Sequence, residues 1–258
     1  MDLALKGKTA LVSGSTAGIG LAIASALAKE GAVTIVNGRT QERVDQAMKA
    51  SGAAHGIAAD LGTEAGARAV IGRFPEVDIL VNNLGIFEMK PFEQITDDDR
   101  RRFFEVNVLS GVRLSRQYLL SMKRKNWGRI VFVSSESAIQ IPIEMIHYGM
   151  TKTAQLAISR GLAELTAGTA VTVNTVLPGP TASEGADKFV ERMAKENGVT
   201  REAVEREFFE KARPTSIIRR FASTDEVGAL VAFVCSPVAS AINGAALRVD
   251  GGVVRAIA

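Results

Sequence analysis

Along the chain, short runs of Val, Ile and Leu alternate with longer stretches in which apolar residues recur every three or four positions. The runs fall at residues 9–13, 33–37, 57–59, 78–82, 130–134, 171–177 and 246–249. Most are continuous rather than alternating, as expected of strands buried on both faces of a sheet. Helical periodicity fills the intervals, at 18–30, 41–51, 63–73, 97–123, 148–165 and 225–235. Two helix starts are legible. Thr96 precedes an acidic first turn, Asp97 to Asp99, which suits the positive end of a helix dipole. Ser223 and Glu226 have the spacing of a capping box.

Repeated βα units imply right-handed crossovers, and hence an α/β, Rossmann-type doubly wound parallel sheet of about seven strands with helices on both faces. One segment breaks the rhythm. Residues 180–214 are highly charged, hold two short helical patterns and separate a strand from the last helix. Such an excursion is usually functional or disordered; it reads as a segment covering the substrate, its charges forming the solvated outer face. No repeat or linker divides the 258 residues, so one domain spanning 1–258 is expected.

Composition narrows the function classes. With 47% hydrophobic and 23% charged residues the chain is globular. Its net charge of +3 is scattered apart from Lys123-Arg124-Lys125, which suits the C-terminal end of a helix. No basic stripe with interleaved aromatics points to nucleic acid. One Cys excludes an intrachain disulfide framework, and two His leave no metal-ligand spacing. With no leader-like N-terminus and no apolar run of membrane-spanning length, the expectation is a soluble, cytoplasmic protein.

The first predicted strand runs into Ser13-Gly14-Ser15-Thr16-Ala17-Gly18-Ile19-Gly20, and a helix follows at once. A phosphate needs backbone N–H groups aimed at it and no side chain in the way, which a helix N-terminus supplies. Gly14 allows the tight turn, Gly18 the approach of a pyrophosphate and Gly20 the packing of helix on sheet. Many tight strand–helix turns need Gly for geometry alone; position after the first strand of a βα series favours a dinucleotide. The second strand ends in Asn37-Gly38-Arg39. No acid stands there for the adenine ribose, and the Arg39 fork suits a 2′-phosphate, pointing to NADP with NAD as the alternative. A solvated surface Arg is the plain reading of the same residue.

Tyr148 and Lys152, four residues apart, project from one helical face. A cation beside a phenol favours the phenolate and lowers the Tyr pKa, as a general acid/base for a carbonyl–alcohol pair requires. The same spacing occurs on amphipathic helices as a packed Tyr and a solvated Lys. Upstream, Ser134 and Ser135 end a strand at the carboxyl edge of the sheet; a hydroxyl there can donate to a substrate oxygen, or cap the chain. Asn107 lies on a stripe with Phe103, Phe104, Gly111 and Leu114 that should face inward. It is therefore a buried polar group needing partners, either as a core Asn or as a site Asn holding water near Lys152.

In order along the chain, these motifs are joined by Asp60-Leu61 after the third strand, Asn82-Asn83-Leu84-Gly85 after the fourth and Pro178-Gly179 after the sixth. The ordered set resembles the classical short-chain dehydrogenase/reductase family over nearly the whole chain. The resemblance implies a catalytic set of Asn107, Ser135, Tyr148 and Lys152. In it Ser135 holds the substrate oxygen, Tyr148 is the acid/base, Lys152 binds the nicotinamide ribose and Asn107 anchors a proton-relay water. Cofactor contacts implied are Gly14, Thr16, Gly18, Ile19, Gly20, Arg39, Asp60 at adenine, Leu61, Asn83, Gly85, Tyr148, Lys152, Pro178, Gly179 and Thr181, the last at the carboxamide through its backbone. A homo-oligomer, tetramer or dimer, is implied through the helices at 97–123 and 148–165. Three positions depart from the family pattern: Leu84 replaces an Ala, Ser183 a Thr, and Ala17 stands where many NADP-dependent members carry Arg, which argues against NADP. The activity implied is hydride transfer between a nicotinamide cofactor and a carbonyl or secondary alcohol. A 3-oxoacyl-thioester reductase-like reaction leads, with polyol, sugar or other secondary-alcohol dehydrogenation as the alternative. A non-catalytic dinucleotide sensor is the reading from another class. Residues 138–146, mostly apolar, either line a substrate pocket or pack under the covering segment, and His147 is a packed or surface residue.

Overall fold

Alternate residues of the buried strands feed two different cores. In β1 (Thr9–Val12), Ala10 and Val12 pack on one face and Leu11 on the other. In β4 (Ile79–Asn82) and β5 (Gly128–Val133), Ile79, Val81, Val131 and Val133 join the first core, and Leu80, Ile130 and Phe132 the second. A strand serving two apolar layers has no position left for a solvated side chain, hence the unbroken apolar runs. The structure, a computed structural model, describes residues 2–257.

Besides these strands the sheet contains β2 (Val33–Gly38), β3 (His55–Ala58), β6 (Val171–Pro178) and β9 (Ala246–Val249). All seven run parallel in the order β3-β2-β1-β4-β5-β6-β9. Helices α1 (Gly18–Lys29), α2 (Gln41–Ser51) and α9 (Thr224–Val234) cover the first core; α3 (Glu64–Arg73), α5 (Ser110–Lys125) and α6 (Ile146–Glu164) cover the second. Because β1 is flanked by β2 on one side and β4 on the other, the strand order reverses there. That reversal opens a crevice beyond the carboxyl ends of β1 and β4, where open α/β sheets bind ligands.

The helix expected over 97–123 is interrupted. It consists of α4 (Asp97–Phe104), a π-turn over Glu105–Leu109, and α5, with Lys123 to Lys125 in the last turn of α5 as expected. The wider turn rotates the residues before it relative to those after it. Phe103, Asn107, Gly111 and Leu114 therefore face inward, but Phe104 does not and is 39% exposed. The capping box expected at Ser223 with Glu226 forms, and Thr96 with Asp99 forms a second at the acidic start of α4. Residues 180–214 hold β7 (Thr181–Ala182), α7 (Glu184–Asn197), α8 (Arg201–Glu207) and a π-turn over Phe208–Ala212; β7 pairs with β8 (Ala222–Ser223). Two-residue strands are too short to show a period, so the sequence gives no sign of them. Among the described residues no helix is long and apolar enough to cross a membrane.

His147, in the first turn of α6, packs edge-on against Phe103 with ring centroids 4.3 Å apart. Both its ring nitrogens are buried and neither has a partner among the described residues. Burial holds its pKa below the ordinary value, while Glu88 and Asp99 pull it up and Lys90 and Arg100 push it down. A neutral ring buried in the fold but free to protonate when unfolded contributes stability that is complete above the unfolded pKa of about 6.5 and is lost as pH falls below it. His147→Phe keeps the aromatic contact and removes the titration. Its melting temperature should therefore fall less than the wild type's between about pH 7.5 and about pH 5. Parallel curves for the two proteins would show that His147 does not contribute to the acid limb.

Candidate active site

The glycine turn is held from below by side chains of neighbouring strands. Ser13 Oγ accepts from the N–H groups of Asn83 (2.9 Å) and Leu84 (3.0 Å). The Asn83 amide donates to the carbonyls of Ser13 and Gly14, both at 3.0 Å. Asn37, buried at the end of β2, accepts from Gly14 N at 3.2 Å and donates to the carbonyls of Ile57 and Ala59. Turn, β2, β3 and β4 thus form one hydrogen-bonded frame. Gly14 has a φ of 59°, a conformation that favours glycine. A Cβ on Gly20 would lie 2.4 Å from Asn83 Nδ2 and 2.5 Å from Gly14 O, so only glycine lets α1 begin so close to the turn.

The space left open along this frame fits an extended dinucleotide. A cavity of about 450 Å³ is lined by Gly14, Thr16, Gly38, Arg39, Asp60, Leu61, Leu84 and Gly85. A second, of about 340 Å³, passes Gly18, Ile19, Gly20 and Asn83 at the start of α1, whose N-cap residue Ala17 makes no side-chain cap hydrogen bond. First-turn N–H groups without a side-chain cap, opening into a cavity, suit an anionic group. Arg39 is exposed on the rim and makes no ion pair among the described residues. Leu84 lines both cavities, its side chain against the place a Gly14 Cβ would take, so the larger residue shapes the floor between them.

A third cavity, of about 300 Å³, adjoins the end of β5 and brings together Ser135, Tyr148, Gly179, Thr181 and Ile19. The two serines divide their work. Ser134 Oγ donates to the main-chain carbonyl of Lys152 at 2.9 Å, fastening α6 to the sheet, whereas Ser135 faces the cavity. The Ser135 hydroxyl donates to the Glu136 carboxylate and accepts from Ser137 N at 3.1 Å. Lys152 is buried, with its ammonium 5.5 Å from the Tyr148 ring centroid and donating to Val133 O at 3.0 Å. Asn107 Oδ1 accepts from Ile86 N at 2.8 Å, and its amide donates to Ile86 O and Thr151 Oγ1, both at 3.0 Å. Thr181 lies on β7, and its hydroxyl donates to Gly179 O.

The protonation balance differs from the expectation of a lowered Tyr pKa. Burial pushes the Tyr148 phenol above its ordinary value, and the Glu136 carboxylate adds to this; the Ser135 hydrogen bond and the Arg213 charge pull the other way. Lys152 is itself pushed down to about 8 by burial, against the pull of Glu136. At Tyr148 burial and the Glu136 carboxylate outweigh the Ser135 hydrogen bond and the Arg213 charge.

Three cavity residues give weak signals in the sequence. Glu136, 4% exposed, accepts from Arg213 Nε at 3.3 Å, and Arg213 also donates to Glu144 at 3.2 Å. Arg213, 7% exposed, is therefore not part of a solvated outer face of residues 180–214. A single acid directly after Ser135 was the only hint of this cluster. The remaining wall is apolar, with Phe87, Met89, Met145, Phe189, Phe208 and Phe221. Of the apolar run at 138–146, Ile139, Ile141 and Ile143 point outward, and Glu144 and Met145 reach the cavity.

The profile of the short chain dehydrogenase family matches residues 8–194. The chain is 52% identical to YvaG, an uncharacterized oxidoreductase of Bacillus subtilis (strain 168), with both proteins covered in full. It is 35% identical to D-beta-hydroxybutyrate dehydrogenase of Cupriavidus necator, covering 96% of this chain and 98% of that protein. Among solved structures, L-sorbose reductase from Gluconobacter frateurii, complexed with NADPH and L-sorbose, superposes with a TM-score of 0.93 at 30% identity, both chains in full.

Asn83 makes its contacts to the turn itself, so Asn83→Ala should loosen the cavity floor without touching the catalytic side chains. Loss of these hydrogen bonds should raise the Kd for the nicotinamide dinucleotide about tenfold, measured by calorimetric titration. An unchanged Kd would show that the turn keeps its shape without Asn83.

Proposed function

This chain belongs to the short-chain dehydrogenase/reductase family and is an oxidoreductase of carbonyl and alcohol substrates, and we propose that it uses NADPH to reduce a compact, largely apolar carbonyl compound. The observation that carries this reading is that the Ser135 hydroxyl and the Tyr148 phenol meet at one cavity lined also by Ile19 of the glycine turn, with the buried Lys152 ammonium 5.5 Å from the Tyr148 ring centroid. The cofactor, when bound, supplies the hydride. Every other part falls to the chain. On substrate entry the Ser135 hydroxyl turns from Glu136 to the carbonyl oxygen, and Tyr148, kept protonated by its raised pKa, gives its proton to that oxygen as charge develops there. The Lys152 ammonium stabilises the phenolate left behind. Asn107 holds the π-turn against Ile86 and Thr151, and so keeps α4 and α6 in register around the site.

NADPH is supported by the free Arg39 guanidinium on the rim of the adenosine-side cavity and by the absence of an acid at the end of β2. The other cofactor contacts are carried over onto the cavity linings: Gly14, Thr16, Asp60, Leu61 and Gly85 at the adenosine end, Gly18, Ile19, Gly20 and Asn83 along the pyrophosphate, and Gly179 and Thr181 at the nicotinamide, with Pro178 buried at the end of β6 just before them. Residues 180–214 act as the lid, since Phe189, Phe208 and Arg213 come from them to the cavity wall. The aromatic lining supports a substrate with an apolar body, a 3-oxoacyl thioester among them. A polyhydroxy ketone is the second reading, favoured by the Glu136–Arg213–Glu144 cluster on the same wall and by the likeness to L-sorbose reductase. Exposed Phe104 and Leu120 on α4 and α5 fit assembly into a homo-oligomer, a dimer or tetramer.

Following NADPH oxidation with a panel of apolar ketones, 3-oxoacyl thioesters and ketoses tests the substrate class directly. Tyr148→Phe should cost roughly two to four orders of magnitude in kcat, the usual scale of general acid/base catalysis. Near-normal turnover in that variant would reject the mechanism. Arg39→Asp places a carboxylate where the 2′-phosphate would bind, and should lower the NADPH/NADH ratio of kcat/KM by at least about tenfold. An unchanged ratio would reject the NADPH assignment.

A further inference from the structure

Gln155 lies on the face of α6 that carries Tyr148 and Lys152, and it is 2% exposed. Its Nε2 donates to the main-chain carbonyl of Asn107 at 2.5 Å, and its Oε1 accepts from Lys152 Nζ at 3.4 Å. One side chain therefore spans from the π-turn to the ammonium under Tyr148. The opposite side of this space is closed by Gly85, where an added Cβ would lie 3.4 Å from Lys152 Nζ and 3.5 Å from Asn107 Oδ1. A buried Gln at a purely structural position needs any two partners. This one has as partners the main chain of one predicted site residue and the charged atom of another.

We propose that Gln155 is a positioning residue for the reaction, an amide strut that fixes the Lys152 ammonium relative to Tyr148 and carries the link between Asn107 and Lys152. The inference rests on the proposed roles of Tyr148 and Lys152. Its chemical consequence is specific. An amide offers fixed donors and a fixed acceptor but does not take up and release protons near neutral pH, so this link orients without conducting. Around the ammonium, Glu136 and the Tyr148 phenol are the titratable groups, while Asn107, Thr151 and Gln155 are neutral.

Two substitutions of nearly conserved volume separate this role from packing. Gln155→Leu removes the acceptor and leaves the ammonium on Val133 O alone. In carbonyl reduction its kcat should fall about tenfold, the scale of one hydrogen bond to a charged group, with KM values little changed, and the alkaline limb of the kcat profile should move to lower pH. Gln155→Glu places a carboxylate beside the ammonium and should move the same limb to higher pH. Opposite displacements support the proposal. Limbs that stay in place in the folded variants, or KM changes with kcat preserved, overturn it, as does failure of both variants to fold, which would assign the amide to packing. The inference and the reading beneath it fail separately: an active Tyr148→Phe rejects the reading, whereas an inactive Tyr148→Phe with unmoved Gln155 profiles rejects only the strut.

Discussion

A cation almost stripped of water is the constraint around which this site is built. Removing an ion from water costs several kcal/mol even after the protein relaxes, and a hydrogen bond to a charged group returns about 1.5–3 kcal/mol. One acceptor is therefore too few for the Lys152 ammonium, and two come near to balance. The chain supplies Val133 O at 3.0 Å and Gln155 Oε1 at 3.4 Å. The second is long, and the shortfall appears as a pKa pushed down to about 8. Each acceptor has its own structural origin: the last carbonyl of β5 as it leaves the sheet, and a side chain two turns along α6. The Ser134 bond to the Lys152 carbonyl ties these two elements together, so the ammonium is located by the fold and not by its own flexible stem.

The same economy governs the cofactor end. Polar side chains there act mainly on backbone: Ser13, Asn37 and Asn83 fasten the turn, and glycines keep it clear. The main-chain N–H groups left open to the cavity are those of the first turn of α1, which starts at the reversal of strand order. Rigidity comes from the sheet, and emptiness comes from the sequence.

Much of this was legible before any coordinates. Continuous apolar runs announced strands between two cores, and the chain order of glycine turn, Ser135, Tyr148 and Lys152 announced residues that the fold brings close together at one end of the sheet. What stayed hidden shares a physical cause. Glu136 and Arg213 are 77 residues apart, and nothing local distinguishes a charge that will be buried against a distant partner from one that will be solvated. Gln155 reads as an ordinary polar helix position, although its place seven residues after Tyr148 puts it on the face that carries Tyr148 and Lys152. The π-turn left no compositional mark, so the phase error it introduces surfaced only at Phe104. The Tyr148 pKa lies above its ordinary value and not below it, because burial and the neighbouring Glu136 carboxylate, neither visible in a four-residue spacing, dominate it.

The alternation of β5 between two cores ties folding fidelity to chemistry. Shifting that strand by a single residue would send Val131 and Val133 into the layer meant for Ile130 and Phe132, whose volumes differ. It would also swing the carbonyl at its end away from the ammonium. A mispaired strand is thereby penalised twice, in the packing of both cores and in the burial of the Lys152 charge, so one register secures both.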